Sequence, residues 1–435
     1  MDINKLLGGR QCDCGRHHTC DIEYVYIESG AIKHLSEICA AYRHILLVGD
    51  ENTFAAAGEK VLSALAGKAL EQVVFDGKEL LVPNEIAIQT VAERLDGVEI
   101  LVGVGSGVIQ DLCKYVSFFH KVPYVIVATA PSMDGYASNG AAMITHGMKV
   151  TYPAGLPKAI LGDVDVLKNA PMEMIKAGYG DVIGKFSALN DWKLSRLING
   201  EYFCDYIYDL TYRQIQATLA LADGILKREE NSIRALMEAL VVIGILMSFA
   251  GSSRPASGSE HHLSHFFEIT GILGGQAYFP HGIDVAYSTV LTAELRQKLL
   301  SFPFPEEIYR PAEAAHRERM QAVYGPVAEG CMALQSKIGS YKANRAAVYK
   351  AKEAEIKAIL AEAPGAEETK KMLSIVGLDM GEFYTLYGKE KLLGAILYAK
   401  DLKDRYTVLW LYYDYFGAEE ESFDSTHNKG EEKNH

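Results

Sequence analysis

Glu99-Ile100-Leu101-Val102-Gly103-Val104-Gly105-Ser106-Gly107-Val108-Ile109-Gln110-Asp111-Leu112-Cys113-Lys114-Tyr115 is the stretch that decides the fold. It opens as a short aliphatic run, passes through alternating glycines, and continues with the apolar spacing of a helix up to Phe119. A strand that turns through glycine straight into a helix is one half of a βαβ unit. Outward from it the pattern repeats. HILLVGD (44–50) precedes a helical stretch over 55–66, QVVFD (72–76) precedes another over 85–95, and PYVIVATAP (123–131) follows. Strands alternating with helices predict a parallel sheet of Rossmann-like, α/β type.

KAILGDVDVL (158–167) is the last extended segment expected, and from about Asp165 onward long stretches such as SIRALMEALVVIGILMSFA (232–250) carry helical spacing. The expected architecture is an α/β nucleotide-binding domain over residues 1–165 and an all-α domain over 166–417. A charged tail over 418–435, almost free of large apolar side chains, is expected to be disordered.

A chain of 435 residues with 49% hydrophobic and 23% charged residues suits a two-domain globular protein. Its formal net charge of −13 opposes a phosphate backbone or an anionic membrane as the main partner, but leaves room for a small anion in a local basic site. No apolar run is read as long enough to span a bilayer, and Met1-Asp2-Ile3-Asn4-Lys5 lacks the start of a secretory signal, so the cytoplasm is the expected location. The seven cysteines are odd in number and dispersed, unlike a secreted disulfide framework. Only Cys12, Cys14 and Cys20 cluster, with His17 and His18, in CDCGRHHTC. That segment reads either as a metal knuckle of unusually tight spacing or as a polar turn.

The glycine loop 103–107 brings backbone close to whatever binds there, and the helix behind it offers unpaired N–H groups to a pyrophosphate; a plain strand-to-helix turn is the alternative. Asp50, at a strand end, suits either a ribose hydroxyl of a dinucleotide or a helix cap. Thr129 to Ser138 (TAPSMDGYAS) forms a hydroxyl-rich loop at the carboxyl end of a strand, with Asp134 its one charge. In the helical half, Asp181, the pair His261 and His265 four residues apart on one helix face, and His281 after Pro280 offer carboxylate and imidazole donors for a divalent metal. Helix-cap and surface roles are the competing reading.

Five blocks in order, GVGSGVIQDLCKY, TAPSMDGYAS, AGYGDVIGKFSALNDWKL, SGSEHHLSH and PHG, make residues 20–410 similar to the iron-containing alcohol dehydrogenase superfamily, which also holds glycerol dehydrogenase and dehydroquinate synthase. Within it the chain most resembles the branch of sn-glycerol-1-phosphate dehydrogenases. The resemblance implies that Gly107, Val108, Ile109, Gln110, Asp111, Thr129, Ala130, Pro131, Ser132 and Ser138 line NAD or NADP. It implies that Asp181, His261 and His281 hold a metal, and that Asp134, Asp181 and His265 serve substrate and catalysis. Iron members place a further histidine one helical turn after the aspartate. Lys185 stands there, so a three-ligand zinc site, or a nickel one, is expected instead. Lys185 itself is read as solvated, with a substrate phosphate as the other option, and Arg254 is a second phosphate candidate. Ser106-Gly107-Val108 replaces the common Gly-Gly-Ser, and Asp181 is shorter than the glutamate of dehydroquinate synthase. The implied reaction is hydride transfer between the nicotinamide and a small phosphorylated secondary alcohol, dihydroxyacetone phosphate giving sn-glycerol 1-phosphate, in a homodimer. The alternatives are an unphosphorylated polyol dehydrogenase and a non-catalytic nucleotide-binding protein.

Overall fold

In the computed structural model, residues 3–79, 81–145 and 148–417 are described. The expected tail, 418–435, lies outside them. Six strands form one parallel sheet: β1 (Tyr24–Glu28), β2 (His44–Asp50), β3 (Ala69–Phe75), β4 (Ile100–Gly105), β5 (Tyr124–Ala128) and β6 (Ala159–Asp163), in the spatial order β1-β6-β5-β4-β2-β3. Helices α1 (Glu51–Ala64), α2 (Glu85–Ala92) and α3 (Gly107–His120) connect the strands from β2 to β5.

The inner strands read as unbroken apolar runs because both of their faces are covered. Ile45, Leu47, Ile100, Val102, Val104, Val125, Val127 and Leu161 point to one side and pack with Ala57, Val61 and Leu65 of α1. Leu46, Leu101, Ile126 and Ile160 alternate with them and are equally buried. From β2 the chain steps outward to β3, then returns to the other side of β2 for β4. That reversal opens the carboxyl edge between β2 and β4, where open α/β sheets take ligands. Sequence reading misses β1 and the antiparallel hairpin Gly140–Thr145/Met148–Pro153.

Among the described residues no strand follows Asp163, and the rest is helical. The expected boundary at 165/166 differs from the compact units observed. One unit comprises Met1–Ile183 with Cys204–Ala256, the other Gly184–Phe203 with the chain from Ser257 onward. The reason is that α5 (Asp205–Ala220) and α6 (Glu230–Ala250), following α4 (Met172–Asn199), complete the first unit. There Met237 of α6 sits where a Cβ on Gly162 of β6 would come within 3.2 Å. By length and composition α6 is a candidate membrane span, which corrects the expectation that no such run exists. Because 78% of its apolar window is buried inside the protein, it serves as a core helix. In the second unit α7 (Ser259–Gly274) and α8 (His281–Leu300) pack on each other, and further helices run from Glu313 to Phe416.

Candidate active site

At the carboxyl edge of the sheet, Asp50 caps α1. Its Oδ1 accepts from the backbone N–H groups of Asn52 and Thr53, at 2.9 Å each, and Thr53 Oγ1 answers the Asp50 N–H. The cap reading of Asp50 is therefore realised. Across the switch point the turn through Ser106 delivers Gly107 and Val108, both half-buried, to the first turn of α3. Ile109 and Gln110 face inward. Gln110 is fully buried, and its amide donates to the Tyr124 hydroxyl and the Tyr136 carbonyl.

Lys114, which sequence reading passes over, organises the rest of the α/β edge. Its buried ammonium donates to Asp111 Oδ1 (3.4 Å), Ser138 Oγ (3.2 Å) and the carbonyls of Gly135 and Gly140 (2.9 Å each). Burial lowers its pKa, while the neighbouring Asp111 opposes that shift. Asp111 and Ser138 are thus held by Lys114. In the loop between them Thr129, Ala130 and Pro131 are buried and Ser132 is half-buried. The Tyr136 hydroxyl closes the loop on the Ala130 carbonyl at 2.7 Å.

Two glycines clamp this loop. A Cβ on Gly178 of α4 would fall 1.8 Å from the Pro131 carbonyl oxygen, and one on Gly244 of α6 would fall 2.7 Å from the Asp134 carbonyl oxygen. Only backbone fits there. The close approach lets the Asp134 N–H donate to Asp181 Oδ2 at 2.9 Å, so one carboxylate oxygen of Asp181 is already oriented.

In the second unit, buried Asp191 of α4 accepts from the N–H of Ser259, the first residue of α7, and of Val408, at 2.7 Å each. Glu260 Oε1 accepts from the Gly258 N–H (2.8 Å) and from His261 Nδ1 (2.7 Å). An acceptor shared in this way assigns the His261 proton to Nδ1 and leaves Nε2 as a lone-pair donor. Burial, with the charge of Lys185 added, pushes the His261 pKa well below its usual value, so the imidazole is neutral. Burial, reinforced by Asp191, pushes Glu260 up to about 7. The contact is accordingly a hydrogen bond rather than a full ion pair.

His281 opens α8, with Ser264 Oγ 3.3 Å from its Nδ1. The rings of His261 and His281 lie 5.1 Å apart, and that of His265 lies 6.2 and 5.5 Å from them. Asp181, on helix α4, lies in the first unit. The adjacent imidazoles of His261 and His281 in the second unit, and the carboxylate of Asp181 in the first, are donor types that suit a divalent first-row cation.

Lys185, read as solvated, is fully buried, and its charge acts on His261 and Glu260. Arg254 is buried as well, at 3% exposure. Lys403 and Arg405, absent from the sequence reading, bind the Ser257 hydroxyl (3.0 Å) and carbonyl (2.8 Å), and the charge of Lys403 also reaches His261.

The fold is that of the iron-containing alcohol dehydrogenases. The family model "Iron-containing alcohol dehydrogenase" matches residues 26–171. The solved iron-containing alcohol dehydrogenase from Thermococcus thioreducens superposes with a TM-score of 0.61 over 91% of this chain and 98% of that one, at 12% identity. A glycerol-1-phosphate dehydrogenase (NAD(P)+) from Halalkalibacterium halodurans is 33% identical over 337 residues, 73% of this chain and 83% of the relative. One from Geobacillus thermodenitrificans is 34% identical over 67% of this chain and 74% of its own length. The chain belongs to the glycerol-1-phosphate dehydrogenase family.

Proposed function

We propose that the protein catalyses the reversible, NAD(P)-dependent and metal-dependent reduction of dihydroxyacetone phosphate to sn-glycerol 1-phosphate. The observation that carries the reading is the match to glycerol-1-phosphate dehydrogenases over most of the chain, supported by the adjacent imidazoles of His261 and His281 and by the oriented carboxylate of Asp181. When bound, the nicotinamide supplies the hydride and the divalent ion, zinc or nickel, polarises the substrate's oxygen. Asp134 fixes Asp181 through its backbone N–H, and Glu260 fixes His261. His265, beside both ligand imidazoles, holds the substrate hydroxyl and carries the proton at its ring nitrogen, with Asp134 in support. Lys185 and Lys403 supply positive charge for the phosphate, with Arg254 a third candidate. The residues that would hold the dinucleotide are Asp50, the N-terminal turn of α3 from Gly107 to Asp111, and the loop from Thr129 to Ser138, at the carboxyl edge of the sheet. A homodimer is the assembly proposed from the family resemblance, and sedimentation of the purified protein checks it.

The test is oxidation of NADH and NADPH with dihydroxyacetone phosphate and with dihydroxyacetone, after chelation and after zinc or nickel is restored. Turnover that needs both phosphate and metal is expected, and Asp181→Asn and His281→Ala should abolish it. Turnover on dihydroxyacetone alone would replace the phosphorylated substrate with a free polyol.

A further inference from the structure

The N-terminal segment carries a second cluster of metal-ligating side chains, remote in sequence from the catalytic residues. The short hairpin Arg10–Gln11/His17–His18 turns through Gly15, whose φ of +84° suits glycine, with the Cys12 N–H donating to the Arg16 carbonyl at 3.1 Å. This turn gathers Cys12, Cys14 and His18. Cys204, the residue that precedes α5, joins them from 192 positions beyond Cys12. The four donor atoms lie within 4.8 Å of one another.

The individual spacings are informative. Cys12 Sγ is 3.6 Å from Cys204 Sγ, Cys14 Sγ is 3.4 Å from His18 Nε2, and Cys204 Sγ is 3.5 Å from the same nitrogen. A tetrahedral zinc ion, about 2.3 Å from sulfur and about 2.0–2.1 Å from nitrogen, sets its ligand atoms roughly 3.5–3.8 Å apart. A disulfide would need the two sulfurs at about 2.05 Å and would leave Cys14 and His18 without a part. The imidazole is aimed as a ligand. His18 is fully buried and its Nδ1–H donates to the Phe249 carbonyl at 3.0 Å, which turns the Nε2 lone pair toward the three sulfurs. Cys12 and Cys204 are buried too, at 8% and 1% exposure.

We infer that Cys12, Cys14, His18 and Cys204 form a structural zinc site of the three-cysteine, one-histidine type. On binding, the three thiols release their protons to solvent, and three thiolates with Zn²⁺ leave one net negative charge. Arg16, whose guanidinium donates to the Ala250 carbonyl, and Arg10, stacked over Tyr206, lie on the segments that carry the ligands and offset that charge. Four protein ligands leave no position for substrate, so the ion acts by tying the N-terminal hairpin to the start of α5 and the end of α6.

The experiment uses the full chain purified from cells grown with zinc, and again with cobalt in its place. Because the catalytic ligands contain no sulfur, a thiolate-to-cobalt charge-transfer absorption in the wild-type protein reports this site alone. That band is expected, together with one zinc equivalent per chain that survives His281→Ala and disappears in Cys14→Ser. Absence of the cobalt band, or recovery of a Cys12–Cys204 disulfide in place of bound metal, would overturn the inference. The wild-type spectrum decides the question even if Cys14→Ser fails to fold.

Discussion

Glu260 does two jobs with one oxygen: it satisfies the Gly258 N–H at the start of α7 and fixes the tautomer of His261. Losing such a hydrogen bond behind a metal ligand costs about 10–100-fold in metal affinity. Glu260→Ala is therefore expected to weaken metal binding by about that factor while the protein stays folded. Glu260→Gln, which keeps an acceptor, should fall between it and wild type; metal titration followed by circular dichroism measures both, and an unchanged affinity in Glu260→Ala would remove the orienting role. Lys185 follows the opposite logic. A lysine is normally solvated, and only the packing around α4 shows that this one is buried with its charge turned on His261 and Glu260. No local pattern in DVIGKFSAL (181–189) distinguishes it from a surface lysine.

At the level of elements, the site depends on helix α4 lying directly on the loop that follows β5. Gly178 permits this, because an added methyl would sit 1.8 Å from the Pro131 carbonyl oxygen. Overpacking of this kind costs about 1–3 kcal/mol. Gly178→Ala is expected to lower the melting temperature and to reduce kcat, since the shift needed to relieve the clash pulls the Asp134 N–H away from Asp181. Wild-type melting and kinetics in that variant would show that the loop yields freely. The strands were legible because covered strands are continuously apolar, and α3 because glycines mark its start. β1 was not, since YVYIE is short and alternates with charged and polar neighbours. Gly178 and Gly244 were written in the sequence but carried no signal there, because what a glycine admits is set by the opposing chain.

Across the whole molecule, the net charge of −13 coexists with a locally basic set, Lys185, Lys403 and Arg405, in the unit that carries the histidines. The same unit contains a titration that should govern acid stability. His316 Nε2 lies 3.2 Å from the Tyr341 hydroxyl, which donates to Asp401 Oδ1 at 2.7 Å. Burial first, then the charge of Lys400, lowers its pKa from 6.5, with Asp401 opposing. The unfolded chain takes up a proton as pH falls through 6.5 while folded His316 stays neutral, so stability present above that pH is lost progressively below it. The melting temperature is expected to drop between pH 7.5 and 5.5, and to drop less in His316→Gln; an identical slope in the two proteins would rule His316 out as the cause.

The sequence alone determined the parallel α/β sheet, the helical remainder and the family, because periodicity, turn residues and the order of short motifs are local properties of the chain. Tertiary structure alone decided that α5 and α6 belong with the sheet, that Lys185 is buried, that Lys114 organises the loop edge of the first unit, and that Asp191 holds the start of α7 in the second. It also decided that Cys204, and not the nearby Cys20, completes the N-terminal cluster, because proximity between residues nearly two hundred positions apart exists only once the chain has packed.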